Sequence, residues 1–198
     1  MGLTKRLAEL AVLVDEFQNR HQSEMINTIV RFGNVLGSSG SVIPIFQDLI
    51  SNKKPITVFD KQVNRYMMTI NEAVSLVLIA TKFHIKKSIF LLDMGKEVSI
   101  LELAKKMIIS NGYQYTFEKP MFNEIQIKFG KLPDYEKLSE ILYDNVLPNK
   151  SDHSKILYIE ESINEKNVNS LTKINKMIVN KDIEKLLKFC LIKKIFIN

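Results

Sequence analysis

Between Ser88 and Asp93 the chain reads SIFLLD, an unbroken apolar run with no polar alternation. A strand with one wet face alternates in character. A continuous apolar strand needs cover on both faces, which is the condition inside a parallel sheet flanked by helices. The neighbouring segments agree. Leu3, Leu7, Leu10, Val14 and Phe17 recur at helical spacing and predict a helix over 2–20. Residues 25–31 read as a second buried strand, and 42–51 as a short helix ending near Asn52. ITVF after Pro55 and the piece Tyr66-Met67-Met68 read as extended. Thr69 with Glu72 and Ser99 with Glu102 each have the spacing of a helix start. The second of these helices stops at Asn111-Gly112. EIQIKF over 124–129 alternates as a half-buried strand, and a helix is expected from about Pro133 to Tyr143. Alternating strand and helix signals predict an α/β layered fold.

About four strands are legible before Pro133, too few for a doubly wound sheet, and no GxGxxG occurs anywhere. The polar stretch 145–155 reads as a loop or linker, followed by a short strand and one or two helices rich in Lys and Asn.

Composition narrows the function classes. The hydrophobic fraction is 45%, enough for a packed core. A single cysteine, Cys190, rules out an internal disulfide, and its FCLI setting suits a buried thiol. No apolar run approaches the ~20 residues of a membrane-crossing helix. Glu9 and Asp15 interrupt any signal-like start, so the expected location is the cytoplasm. His21, His84 and His153 are isolated, which argues against a metal site. No G-x-S-x-G is present, so a serine hydrolase is unsupported. The net charge is +6, with a lysine excess in the last quarter. That balance suits nucleic acid, an anionic membrane surface or a plain solvated face. No Arg cluster or basic-aromatic stripe favours nucleic acid, and none is expected as a partner.

The segment RFGNVLGSSGSVIP, residues 31–44, places three of seven glycines within eight residues, between two apolar elements. Glycine permits positive φ and close backbone approach. Successive N–H groups make an anion nest, and the helix that follows adds its positive end. Read alone, the loop is either an anion site or an ordinary turn.

These residues, together with PITVFDKQVNRYMMTINEAVSLVL, IFLLDMGKEVSILELAKKMI and a weaker GKLPDYEKLSEIL, resemble the CapD-type polysaccharide biosynthesis proteins. These are NAD(P)-dependent nucleotide-sugar 4,6-dehydratases and epimerases of the extended short-chain dehydrogenase class. The resemblance covers about residues 1–143. It implies the C-terminal, substrate-binding portion of a Rossmann-like domain, with the dinucleotide-binding half lying upstream. Residues 144–198 form an extension of unknown role.

Several site residues follow from the resemblance. Met1 stands where most of the wider class has a catalytic Tyr, and Lys5 stands at the catalytic Lys, which holds the nicotinamide ribose. Residues four apart share a helix face. Phe32 and Gly33 would border the nicotinamide. Asn34, Ser39 and Ser41 would face the sugar diphosphate. Arg65 would grip the diphosphate, as a guanidinium fork suits phosphate oxygens; its ordinary alternative is a salt bridge to Asp60 or Glu72. Glu136 would accept from ribose hydroxyls, or serve as a first-turn helix acid. Leu132 replaces an Arg of the family pattern, and Asp134-Tyr135 replaces its Gly.

The implied function is an inverting 4,6-dehydratase acting on a UDP-N-acetylglucosamine-like substrate, in capsule, O-antigen or flagellin sugar synthesis. Hydride leaves C4, the ketone acidifies C5, water departs from C6, and hydride returns to C6. An epimerase is the near alternative. The cofactor is NAD(P), with its main binding half expected on a separate chain or lost by truncation. A non-catalytic remnant that binds a nucleotide-sugar or a partner, and a homo-oligomer, are further expectations.

Overall fold

The computed structural model describes residues 2–19, 26–38, 40–132, 138 and 147–192. In chain order the elements are α1 (Gly2–Asn19), β1 (Ile29–Arg31), β2 (Asn34–Val35), α2 (Val42–Ser51), β3 (Ile56–Val58), β4 (Asn64–Arg65) and β5 (Met67–Met68). There follow α3 (Ile70–Ala80), β6 (Ser88–Leu92), β7 (Val98–Ser99), α4 (Ile100–Ser110), β8 (Gln114–Thr116) and β9 (Glu124–Phe129). The chain ends with β10 (Asn149–Lys150), β11 (Ile156–Glu160), α5 (Glu165–Val179) and α6 (Ile183–Ile192). They form two compact units.

The first unit takes residues 1–31, 79–91 and 143–198. Its sheet has the order β1-β6-β11-β10. β1 and β6 are parallel, Val30 opposite Phe90, and β10 and β11 form an antiparallel pair. Every residue of β6 is buried, as the unbroken SIFLLD run requires. Ile89 and Leu91 pack with Leu10, Leu13 and Val14 of α1 and with Ile159 and Ile163. Val168 and Leu171 of α5 close over the same cluster. The apolar face of α1 therefore includes Leu13, one residue off the stripe read from the sequence, and Leu13 is among its most deeply buried side chains.

Two expectations need correction here. The strand expected over 25–31 with both faces covered is three residues long and only half-buried. It stands at the end of the described sheet, with β6 as its one neighbour among the described strands. The polar stretch 145–155 is not all loop, because Asn149 and Lys150 pair with Tyr158 and Leu157. Backbone hydrogen bonding, blind to side-chain polarity, makes that pair.

The second unit takes residues 32–78 and 92–142. Its sheet β3-β9-β8 is parallel throughout, with Ile56 opposite Ile127 and Tyr115 opposite Ile125. Ile125 and Ile127 are buried and alternate with more exposed residues, as EIQIKF predicts. They pack with Phe46 and Ile50 of α2, Ile56 and Val58 of β3, and Ala104 and Ile108 of α4. Two further pairs, β2 with β5 and β4 with β7, are only two residues deep.

The caps form as the sequence predicts. The Thr69 hydroxyl accepts from the Glu72 N–H at 3.1 Å while Glu72 accepts from the Thr69 N–H at 3.3 Å. The Ser99 hydroxyl accepts from the Glu102 N–H. Gly112 ends α4 at φ +82°, where other residues are strained. The helix expected from about Pro133 to Tyr143 falls largely outside the described residues.

Candidate functional site

The loop in RFGNVLGSSGSVIP is held at its base by a parallel strand pair. The Asn34 N–H donates to the Tyr66 carbonyl at 3.0 Å, and the Leu36 N–H donates to the Met68 carbonyl at 2.8 Å. The Gly33 N–H donates to Met94 Sδ at 2.8 Å. Two tight turns follow. The Ser38 N–H bonds to the Val35 carbonyl, and the Ser41 N–H to the Ser38 carbonyl. Gly37 lies at φ +75° and Gly40 at φ +72°. A Cβ on either glycine would meet nothing within 4 Å, so glycine serves the dihedral and not the space.

Ser41 is the N-cap of α2, with extended backbone, yet its hydroxyl makes no capping bond. An N-cap oxygen normally accepts from the second or third amide of the helix. The third residue here is Pro44, which has no N–H. Ser41 Oγ is buried and has no hydrogen-bond partner among the described residues. A buried hydroxyl left without a bond costs about 1–3 kcal/mol. The same spot faces the positive end of a ten-residue helix. The arrangement can take an anion: a hydroxyl donor, turn amides and a helix N-terminus.

Arg65 is brought to this region by the backbone, since it precedes the Tyr66 whose carbonyl holds Asn34. Its Nη1 donates to the Asn64 carbonyl at 2.8 Å and the Leu138 carbonyl at 3.1 Å. The Asn64 N–H also donates to the Leu138 carbonyl, at 3.0 Å. Phe32 presents a ring that is 37% exposed, and Asn34 is half-buried. Lys5, in the first unit, is exposed on α1. Met1, Ser39 and Glu136 lie outside the described residues.

Sequence reasoning missed a charged network in the first unit. Arg31 grips Glu9 with two bonds, Nε to Oε1 at 2.7 Å and Nη2 to Oε2 at 2.8 Å. Arg6 bonds to Glu9 at 3.1 Å and to Glu161 at 2.9 Å. Partial burial pushes the Glu9 carboxyl up, but the bonds and charges of Arg31 and Arg6 outweigh it and hold the group below its ordinary 4.5. The network ties α1 to the end of β1, the residue before Phe32 and Gly33. No local spacing announces it, because Glu9 and Arg31 are 22 residues apart. Met94, the acceptor for Gly33, was missed for the same reason.

Among the described residues no group of His, Cys, Asp and Glu could hold a metal ion, and no helix is long and apolar enough to cross a membrane.

Known structures agree with this α/β, Rossmann-like architecture. Pen from Bacillus thuringiensis superposes with a TM-score of 0.65 at 32% identity, covering 77% of this chain and 45% of that one. The chain belongs to the polysaccharide biosynthesis protein family, whose model matches residues 1–161. It is 38% identical to the capsular polysaccharide biosynthesis protein CapD of Staphylococcus aureus, over 88% of this chain and 30% of that protein. It is 33% identical to an uncharacterized membrane protein of Methanocaldococcus jannaschii, over 98% of this chain and 56% of that protein. The chain thus spans about a third to a half of these relatives.

Proposed function

We propose that this chain forms the nucleotide-sugar side of an NAD(P)-linked 4,6-dehydratase that makes sugars for a surface polysaccharide. The observation that carries the reading is the unsatisfied Ser41 hydroxyl at the start of α2. A buried donor beside two left-handed glycines and a helix N-terminus suits one phosphate of a nucleoside diphosphate. In this reading the Ser41 hydroxyl and the turn amides take one phosphate and Arg65 neutralises the other. Asn34 and Ser39 orient the sugar, and Glu136 accepts from the ribose. The two carbonyl bonds of Arg65 fix its guanidinium before the ligand arrives, which lowers the ordering cost of binding. Exposed Phe59 immediately follows the carboxyl end of β3, and ligands in α/β sheets gather at the carboxyl ends of strands.

Of the cofactor, this reading assigns only the nicotinamide end to the described residues. The open ring of Phe32 can lie against a planar heterocycle such as nicotinamide. Nothing in the sequence matches the GxGxxG turn that takes a dinucleotide pyrophosphate. A bound NAD(P) supplies the hydride acceptor and donor for the sugar. Met1 offers no proton, so acid and base groups come from elsewhere.

Calorimetric titration of the chain with UDP-N-acetylglucosamine tests the proposal. Binding should weaken roughly 10- to 100-fold in Arg65→Ala, the worth of a hydrogen bond to a charged group. Ser41→Ala should weaken it about 10-fold. Absence of binding by the unaltered chain, or equal binding by both variants, would sink the reading. Binding without turnover in the presence of NAD(P) would favour the second reading, a nucleotide-sugar-binding module without catalysis.

A further inference from the structure

We infer that the elbow between α5 and α6 docks on an anionic lipid surface. α5 covers the core of the first unit with Val168, Leu171 and the buried Ile174. Beyond that point its apolar side chains turn outward. Ile178 is 51% exposed, Val179 79% and Ile183 66%. These three aliphatic residues stand within six positions, at the tip of a helix hairpin.

The tip is held in shape. The Lys181 N–H donates to the Ile178 carbonyl at 3.0 Å, and the Asp182 N–H to the Met177 carbonyl at 2.9 Å. Lys181 sits at φ +55°, in the left-handed region of a helix stop. The elbow therefore presents its apolar residues on a fixed scaffold, and little order is lost on docking.

Charge identifies the occupant. Lys176, Lys181 and Lys185 are exposed at and beside the tip, and Lys173 and Lys188 are exposed further along α5 and α6, against the acids Asp182 and Glu184. Asp182 is bonded to Lys185 at 2.7 Å. An aliphatic tip ringed by lysines matches an interface with acyl chains below and anionic headgroups around. Nucleic acid fits less well, because single-strand sites use aromatic stacking and the elbow offers Ile and Val. A second copy fits less well too, since a two-fold contact would set the lysines against each other.

The test is co-sedimentation of the full chain with vesicles, of phosphatidylcholine alone and of phosphatidylcholine mixed with phosphatidylglycerol. The chain should pellet with the mixed vesicles and not the neutral ones, less so as salt rises. Lys176→Gln, Lys181→Gln and Lys185→Gln together should weaken binding about 100-fold. Val179→Ser with Ile183→Ser should weaken it about 10-fold or more. All five side chains are exposed, and circular dichroism melts check that both variants stay folded. Failure to pellet with mixed vesicles at low salt overturns the inference, as does equal pelleting by wild type and both variants. Equal pelleting with neutral vesicles overturns it as well. A concentration-dependent dimer, or an oligonucleotide complex, that depends on these residues without vesicle binding would assign the elbow to another partner and overturn it.

Discussion

Replacing Glu9 with Gln should destabilise the first unit by about 2 kcal/mol at neutral pH. The figure lies between two limits. Exposed ion pairs contribute about 0–1 kcal/mol. Removing one partner of a fully buried pair costs about 3–5 kcal/mol, because the other charge stays behind unpaired. The Glu9 side chain is 14% exposed and that of Arg31 25%, so the site lies between these limits. Both arginines lose the negative charge and one of the two acceptor oxygens they share, although Gln keeps one carbonyl oxygen and Arg6 retains Glu161. The pH dependence has a definite sign. The folded Glu9 carboxyl lies below its ordinary 4.5, so its contribution is present above that value. It is lost as pH falls through the folded pKa. The gap between wild type and Glu9→Gln should therefore be widest near neutrality and close under acid. The chain has no Trp, so urea unfolding is best followed by circular dichroism. A loss under about 0.5 kcal/mol at pH 7, typical of a surface change, would refute the reasoning. So would a gap that does not narrow as pH falls.

Two further predictions concern local geometry. Gly40→Ala should destabilise by about 1–2 kcal/mol, the cost of a side chain in the left-handed region, since no crowding adds to it. Thermal melts would measure that loss, and calorimetry should show weaker UDP-sugar binding. Ser99→Ala removes the cap of α4 and should cost about 1 kcal/mol, whereas Ser41→Ala, whose hydroxyl caps nothing, should cost less in the same melts.

The features legible in the chain were those governed by near neighbours. The Thr69–Glu72 and Ser99–Glu102 caps, the stop at Asn111-Gly112 and the alternation of EIQIKF each depend on residues a few positions apart. Backbone geometry alone relates them. The SIFLLD run was decisive for the same reason: no arrangement leaves that strand half in water without large cost. The glycine turns of the loop were legible as positions needing positive φ. The empty cap at Ser41 was latent in the same stretch, because Pro44 denies it a donor.

Tertiary structure alone decided the remainder. The apolar stripe of α1 was legible in Leu10, Val14 and Phe17, but the deep burial of Leu13 beside it depends on Ile89 and Leu91 arriving from far along the chain. Burial of β1 depends on how many strands flank it, which three residues cannot encode. The two-residue pairs β2–β5 and β4–β7 are made by backbone groups that every residue carries, so no side-chain pattern marks them. Glu9 and Arg31 carry no local mark of their pairing. Only the packing of α1 against the end of β1 brings them to 2.7 Å in a half-dry setting, where pairing matters. Short-range stereochemistry is written locally in the amino acids, whereas burial and long-range pairing exist only once distant segments share one solvent-excluded space.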